Sequence, residues 1–245
     1  MAVYIVFDST RRNTTRKRLI LIHGRSFKPA KAELEAIWTE ALRYGISRDF
    51  GDAKVGQFEH VDKELSDYGD FSNDFLLKEG VTYDPQKDLD DRRTALEELK
   101  RWNSPDFAGE TGKSNYQKMN GQSSMWETFA DFADLLPLAA LSDRIISRKL
   151  PDIEQYWNVD EKFGSDVRWR LTEPLAKALS QDDDILILSH SLGTVIAYDV
   201  LWKFSYYGEW QDIRNKKVSM LVTLGSPLGD ETTKCWQPAK VGHFC

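Results

Sequence analysis

Ile185-Leu186-Ile187-Leu188-Ser189-His190-Ser191-Leu192-Gly193-Thr194 carries the change of structure on which the fold turns. Four apolar residues stop at a cluster of small, polar, turn-prone ones. Val195, Ile196, Ala197, Tyr198, Val200 and Leu201 then follow in a helix-compatible run. The pattern is a buried strand that ends where a helix begins. A sharp turn between the two lifts one side chain clear of the backbone, and here that residue is Ser191. The N-terminus of the following helix and nearby amides can stabilise negative charge beside it.

The same punctuation recurs on both sides of this stretch. Arg18-Leu19-Ile20-Leu21-Ile22-His23-Gly24 is an apolar run closed by glycine, which predicts a buried strand. After Pro29, the apolar residues Leu34, Ile37, Trp38, Ala41 and Leu42 recur at helical spacing, predicting a helix to about Tyr44. A weaker strand is expected at 57–61, and the apolar residues 1–7 also read as a strand. Leu89, Leu96, Leu99 and Trp102 predict a helix, and 126–146 one or two more, with a loop over 103–124. Val167, Leu171, Leu175, Ala178 and Leu179 mark another helix, which Pro174 is expected to kink or divide. A last strand spans 218–224 and ends at Gly225-Ser226-Pro227.

Strands alternating with helices predict an α/β fold with a mostly parallel sheet and helices on both faces. The whole chain, 1–245, is expected to form one domain, with a mostly helical insertion at about 68–164. That insertion reads either as a cap over the site or as an inert excursion. In open sheets of this kind ligands bind beyond the carboxyl ends of the strands, where both His23-Gly24 and Ser191 fall.

Composition narrows the function classes. With 245 residues the chain can bury one sizeable core, and 41% hydrophobic with 29% charged residues is ordinary for a water-soluble domain. A net charge of -6 argues against nucleic acid as a partner. No apolar run approaches the ~20 residues of a membrane span. The start of the chain lacks the basic flank and cleavage site of a signal peptide, so a cytoplasmic location is expected. The two cysteines, Cys235 and Cys245, suggest neither a disulfide framework nor a metal site.

Ser189-His190-Ser191-Leu192-Gly193 resembles the nucleophile elbow of the α/β-hydrolase superfamily, G-x-S-x-G, with serine in place of the first glycine. That position needs a small residue because strand and helix crowd there. His190-Ser191-Leu192-Gly193-Thr194 matches the form common in lipases and esterases. Ile22-His23-Gly24-Arg25 resembles the His-Gly oxyanion loop of the same superfamily. Thr223-Leu224-Gly225-Ser226-Pro227-Leu228-Gly229 resembles the segment after the next strand in lipase-like members, including relatives of GPI inositol-deacylases. The resemblance implies Ser191 as nucleophile and backbone amides of Leu192 and of Gly24 or Arg25 as the oxyanion hole. It implies a loop-shaping role for His23, and Gly193 and His190 as further parts of the motif. It needs no cofactor and no metal.

Bland readings stand beside these. Ser191 is also a competent helix N-cap. Ser226 is an alternative nucleophile, although Gly-Ser-Pro reads better as a turn. His190 precedes the serine, and its side chain is expected to point away from it. Gly109-Glu110-Thr111-Gly112-Lys113-Ser114 imitates a phosphate loop, but Phe107 stands where that pattern requires glycine, so a surface loop is expected.

In the superfamily the chain order is serine, acid, histidine. Downstream of Ser191 lie one histidine, His243, and the carboxylates Asp199, Glu209, Asp212, Asp230 and Glu231. Asp230 as acid and His243 as base satisfy the order by elimination. His243 reads better as a frayed terminal residue. The expected function is hydrolysis of a carboxylic ester, with a small-molecule or lipid-like substrate, through an acyl-enzyme on Ser191. The alternative is a truncated hydrolase-fold protein, short of its last strands, that binds a ligand or partner with little or no turnover. Its open sheet edge would invite self-association.

Overall fold

The computed structural model describes residues 16–102, 151–158 and 160–229. The strand expected at 1–7, the helices at 126–146, the loop at 109–114, and Asp230 and His243 lie outside the described residues. β1 (Lys17–Ile22), β2 (Asp62–Ser66), β3 (Asp184–His190) and β4 (Met220–Leu224) form one parallel sheet in the order β2-β1-β3-β4. β1 and β3 are near-continuous apolar runs, as strands covered on both sides must be. Ile20 and Ile22 of β1 and Ile185 and Ile187 of β3 face one way; Leu19, Leu21 and Leu188 face the other, and all are buried.

Register sets the level of the site. Ile22 pairs with Ser66 on one side and Ser189 on the other, and Ser189 pairs with Thr223. These residues form one row across the sheet, so the residues that follow them, His23, Asp67 and His190, stand at one level. From β1 the chain goes first to β2 on one flank and later to β3 on the other. The strand order therefore reverses between β1 and β3, and that is where a crevice opens in open α/β sheets. The His23 loop and Ser191 are the two walls of that point.

The helices are α1 (Lys31–Phe50), α2 (Asp52–Glu59), α3 (Gly69–Lys78), α4 (Pro85–Trp102), α5 (Pro151–Trp157), α6 (Phe163–Ser180) and α7 (Leu192–Tyr206). The described residues divide into two compact units. One, comprising 16–27, 59–81 and 151–229, holds the sheet with α3, α5, α6 and α7. In it α6 lies over β1 and β2 and packs against α7, which lies over β3 and β1. Val167, Leu171, Leu175 and Leu179 from α6, and Val195, Ile196, Val200 and Phe204 from α7, close the core over Ile20, Ile22, Ile185 and Ile187. The other unit holds α1, most of α2, and α4. In it Tyr44 Oη donates to the Lys100 carbonyl at 2.9 Å, and Lys100 pairs with Glu40 at 3.0 Å.

The structure departs from the sequence reading at β2, at the end of α1 and at Pro174. The strand expected at 57–61 is instead β2 at Asp62–Ser66, and α2 occupies Asp52–Glu59. Asp62, Lys63 and Glu64 conceal it in the sequence, because an edge strand keeps its polar half in water and buries only Leu65 and Ser66. α1 continues past Tyr44 to Phe50 and ends at Gly51, whose φ of 79° suits a helix stop. Pro174 neither ends nor divides α6, which is continuous across it.

Candidate active site

Ser191 is the N-cap of α7 and holds φ 53° and ψ -125°. For a residue with a side chain this costs on the order of 1–3 kcal/mol and persists only where surrounding bonds enforce it. They do so here. The Ser191 amide donates to the Leu224 carbonyl of β4 at 2.9 Å. The Ser191 carbonyl accepts from the Thr194 amide at 2.9 Å and from Thr194 Oγ1 at 2.8 Å. No side-chain cap bond forms at Ser191. Its residue is 4% exposed, and its Oγ has no hydrogen-bond partner among the described residues. A capping serine spends its hydroxyl on an amide of the next turn; this one does not.

The positions around it are small for steric reasons. A Cβ on Gly24 would stand 2.6 Å from Ser191 Cβ and 3.1 Å from Ser191 Oγ. A Cβ on Gly193 would stand 2.5 Å from the His23 carbonyl oxygen and 2.8 Å from that of Ile22. Glycine at both positions lets the first turn of α7 press onto the end of β1. Ser189 is fully buried, and its Oγ donates to the Val222 carbonyl at 3.0 Å. Serine thus fits where the motif has glycine, because its hydroxyl finds a partner on β4.

Leu192 is the first residue of α7, so its N–H has no acceptor within the helix. Gly24 and Arg25 lie on the facing loop. Gly24 thus lies against Ser191, and Gly193 against the end of β1; Leu192 and Arg25 are their neighbours in the chain. Ser226 lies close by but serves the turn: its Oγ bonds Thr194 Oγ1 at 2.9 Å and accepts from the Leu228 amide at 3.3 Å. Thr194 already gives its proton to the Ser191 carbonyl, so Ser226 is the donor in that pair.

Three histidines fall among the described residues. His60 precedes β2, at the amino end of the sheet, away from Ser191. His23 is 1% exposed, and both of its ring nitrogens are engaged. Its Nδ1–H donates to the Gly24 carbonyl at 2.8 Å, and Nε2 lies 2.9 Å from Asp67 Oδ1 and 3.2 Å from the Tyr68 amide. The ring stacks on Tyr68 with centroids 4.1 Å apart, and Tyr68 Oη donates back to the His23 carbonyl at 3.0 Å. This imidazole shapes its loop and has no nitrogen to offer the serine. His190 Nδ1 lies 3.0 Å from the point a Gly24 Cβ would occupy. His190 and Ser191 thus flank the same gap beside Gly24, closer together than alternation along a strand suggests.

Asp67, Tyr68 and Asp152 are site residues that the sequence reading missed. Asp152, at the start of α5, is 1% exposed. It accepts from Arg25 Nε at 3.2 and 3.3 Å and from the Ser26 amide at 3.0 Å. No motif announces it, since it sits in the expected insertion, far from Arg25 in sequence. Asp67 directly follows β2, but with the strand expected at 57–61 it carried no such signal. Asp199, one of the downstream carboxylates, lies two turns along α7 from Ser191 and accepts from Tyr156 Oη at 2.6 Å. Burial lifts its carboxyl above the ordinary range, and the Tyr156 bond and Arg168 and Lys203 only partly offset this.

Among the described residues no group of three or more His, Cys, Asp or Glu side chains could hold a metal ion, and no helix is long and apolar enough to cross a membrane. The chain matches no protein-family model, no curated protein and no solved structure.

Proposed function

We propose that the chain is a serine hydrolase of the α/β-hydrolase type acting on a carboxylic ester, with a small-molecule or lipid-like acyl substrate. Ser191 attacks the ester carbonyl, the alcohol leaves, and water clears the acyl-enzyme. Amides of Leu192 and of Gly24 or Arg25 receive the oxyanion. One observation carries this reading: Ser191 is forced to φ 53° at the strand-to-helix turn, with its Oγ unbonded among the described residues and glycine pressed against it. A structural serine has no need of that strain. His243 as base and Asp230 as acid remain part of the proposal on chain order alone. Lipase and esterase relatives and, more distantly, GPI inositol-deacylases are the proposed kin, on the motifs around His23, Ser191 and Ser226.

Covalent labelling with a fluorophosphonate probe tests the nucleophile directly. Wild-type chain is expected to label and Ser191→Ala to stay unlabelled. Equal labelling of the two would refute the proposal and leave a protein that binds without turnover.

A further inference from the structure

We infer that Asp152 is a positioning residue for the oxyanion loop, locking residues 23–26 in the geometry that sets Gly24 against Ser191. The inference rests on the proposed acyl transfer at Ser191. Asp152 is buried, and a buried carboxylate is tolerable only where it is paired and hydrogen-bonded. Its bonds to Arg25 Nε and to the Ser26 amide both fall on two consecutive residues of one loop. Ser26 there holds φ 74°, a left-handed conformation that an unrestrained serine would leave. Charge-assisted bonds from a fixed carboxylate supply the restraint.

A second fastener lies upstream. Tyr68 Oη holds the His23 carbonyl, and the His23 ring holds the Gly24 carbonyl. The amides of Gly24 and Arg25 are therefore fixed from both sides, by β2's loop before them and by α5 after them. Removing Asp152 takes away its bonds to Arg25 Nε and the Ser26 amide, and with them the restraint that α5 places on the loop. Oxyanion donors act through their placement, and a displacement of about 1 Å costs about 100-fold in rate. Asp152 makes no hydrogen bond to Ser191 Oγ, and its bonds go to Arg25 and Ser26, through which its effect passes.

The test is labelling kinetics of the full chain with a fluorophosphonate, resolved into the affinity of the initial complex and the rate of bond formation. Asp152→Asn is expected to slow bond formation about 10- to 100-fold, with the affinity unchanged. Arg25→Met should do the same, and the double variant should be no slower than the slower single one. Both are measured well below their own melting transitions. If Asp152→Asn melts earlier yet labels at the wild-type rate, Asp152 is merely structural and the inference is wrong. Should Asp152→Asn fail to fold, Arg25→Met decides by the same criterion. A wild-type chain that labels no faster than Ser191→Ala overturns the proposed hydrolase itself, which is a different failure.

Discussion

Replacing Gly193 by alanine puts the packing of the turn to a quantitative test. The added Cβ would stand 2.5 Å from the His23 carbonyl oxygen and 2.8 Å from that of Ile22. Both obstacles are backbone, one on the last residue of β1 and one just past it, so neither can rotate away. Ordinary contact begins at 3.4 Å, which requires α7 and β1 to part by about 0.9 Å at this point. Overpacking of this kind costs about 1–3 kcal/mol. It also draws the Leu192 amide away from the Gly24 loop, and a 1 Å error in such a site costs about 100-fold in rate. Gly45, inside α1, has nothing within 4 Å of its own imaginary Cβ. Alanine there should stabilise by about 0.5–1 kcal/mol, because glycine is the poorer helix former. The same chemical change thus has opposite signs at two positions. Thermal denaturation of both variants, with fluorophosphonate labelling of Gly193→Ala, reads both effects. If Gly193→Ala melts with the wild type and labels at its rate, the close approach of α7 to β1 is not what holds the site together.

Two further outcomes follow from the same physics. Ser191→Gly should abolish labelling yet raise stability by about 1 kcal/mol, since glycine adopts φ 53° freely and no unbonded hydroxyl remains buried; a melting temperature below wild type would contradict the strain argument. Asp199 has its carboxyl raised by burial, so the folded state holds that proton more tightly than the unfolded. The stability this contributes is complete below the ordinary carboxylate range and is lost as pH rises through the raised value. Asp199→Asn, which can still accept from Tyr156, should therefore gain on the wild type between pH 3.5 and pH 8 in denaturant titrations; a gap independent of pH would show that Asp199 does not titrate abnormally.

The elements carrying apolar periodicity were legible without coordinates. β1, β3, β4, α6 and α7 all stand where their apolar residues predict them, because burial on a sheet selects for continuous or periodic apolar runs. β2 was misplaced because half of it is solvated and charged. Pro174 did not divide α6, which runs through it without a break.

The site divides along the same line. Ser191, Leu192, Gly193, His23 and Gly24 were legible as candidates from local sequence, because each stands at a strand end or in the first turn of a helix. That pattern gave the strand-to-helix turn at Ser191, whereas the need for glycine at 24 and 193 comes from the close approach of α7 to the end of β1, about 170 residues away in sequence. Asp67, Tyr68 and Asp152 were not found, because what they do depends on residues 44 to 127 positions away. Only the parallel register that levels Ile22 with Ser66 and Ser189, and the return of α5 to the His23 loop, decided that these side chains meet. Hydrogen bonds between distant segments leave no periodicity in a sequence. They exist once hydrophobic burial has folded the sheet and brought its carboxyl ends together.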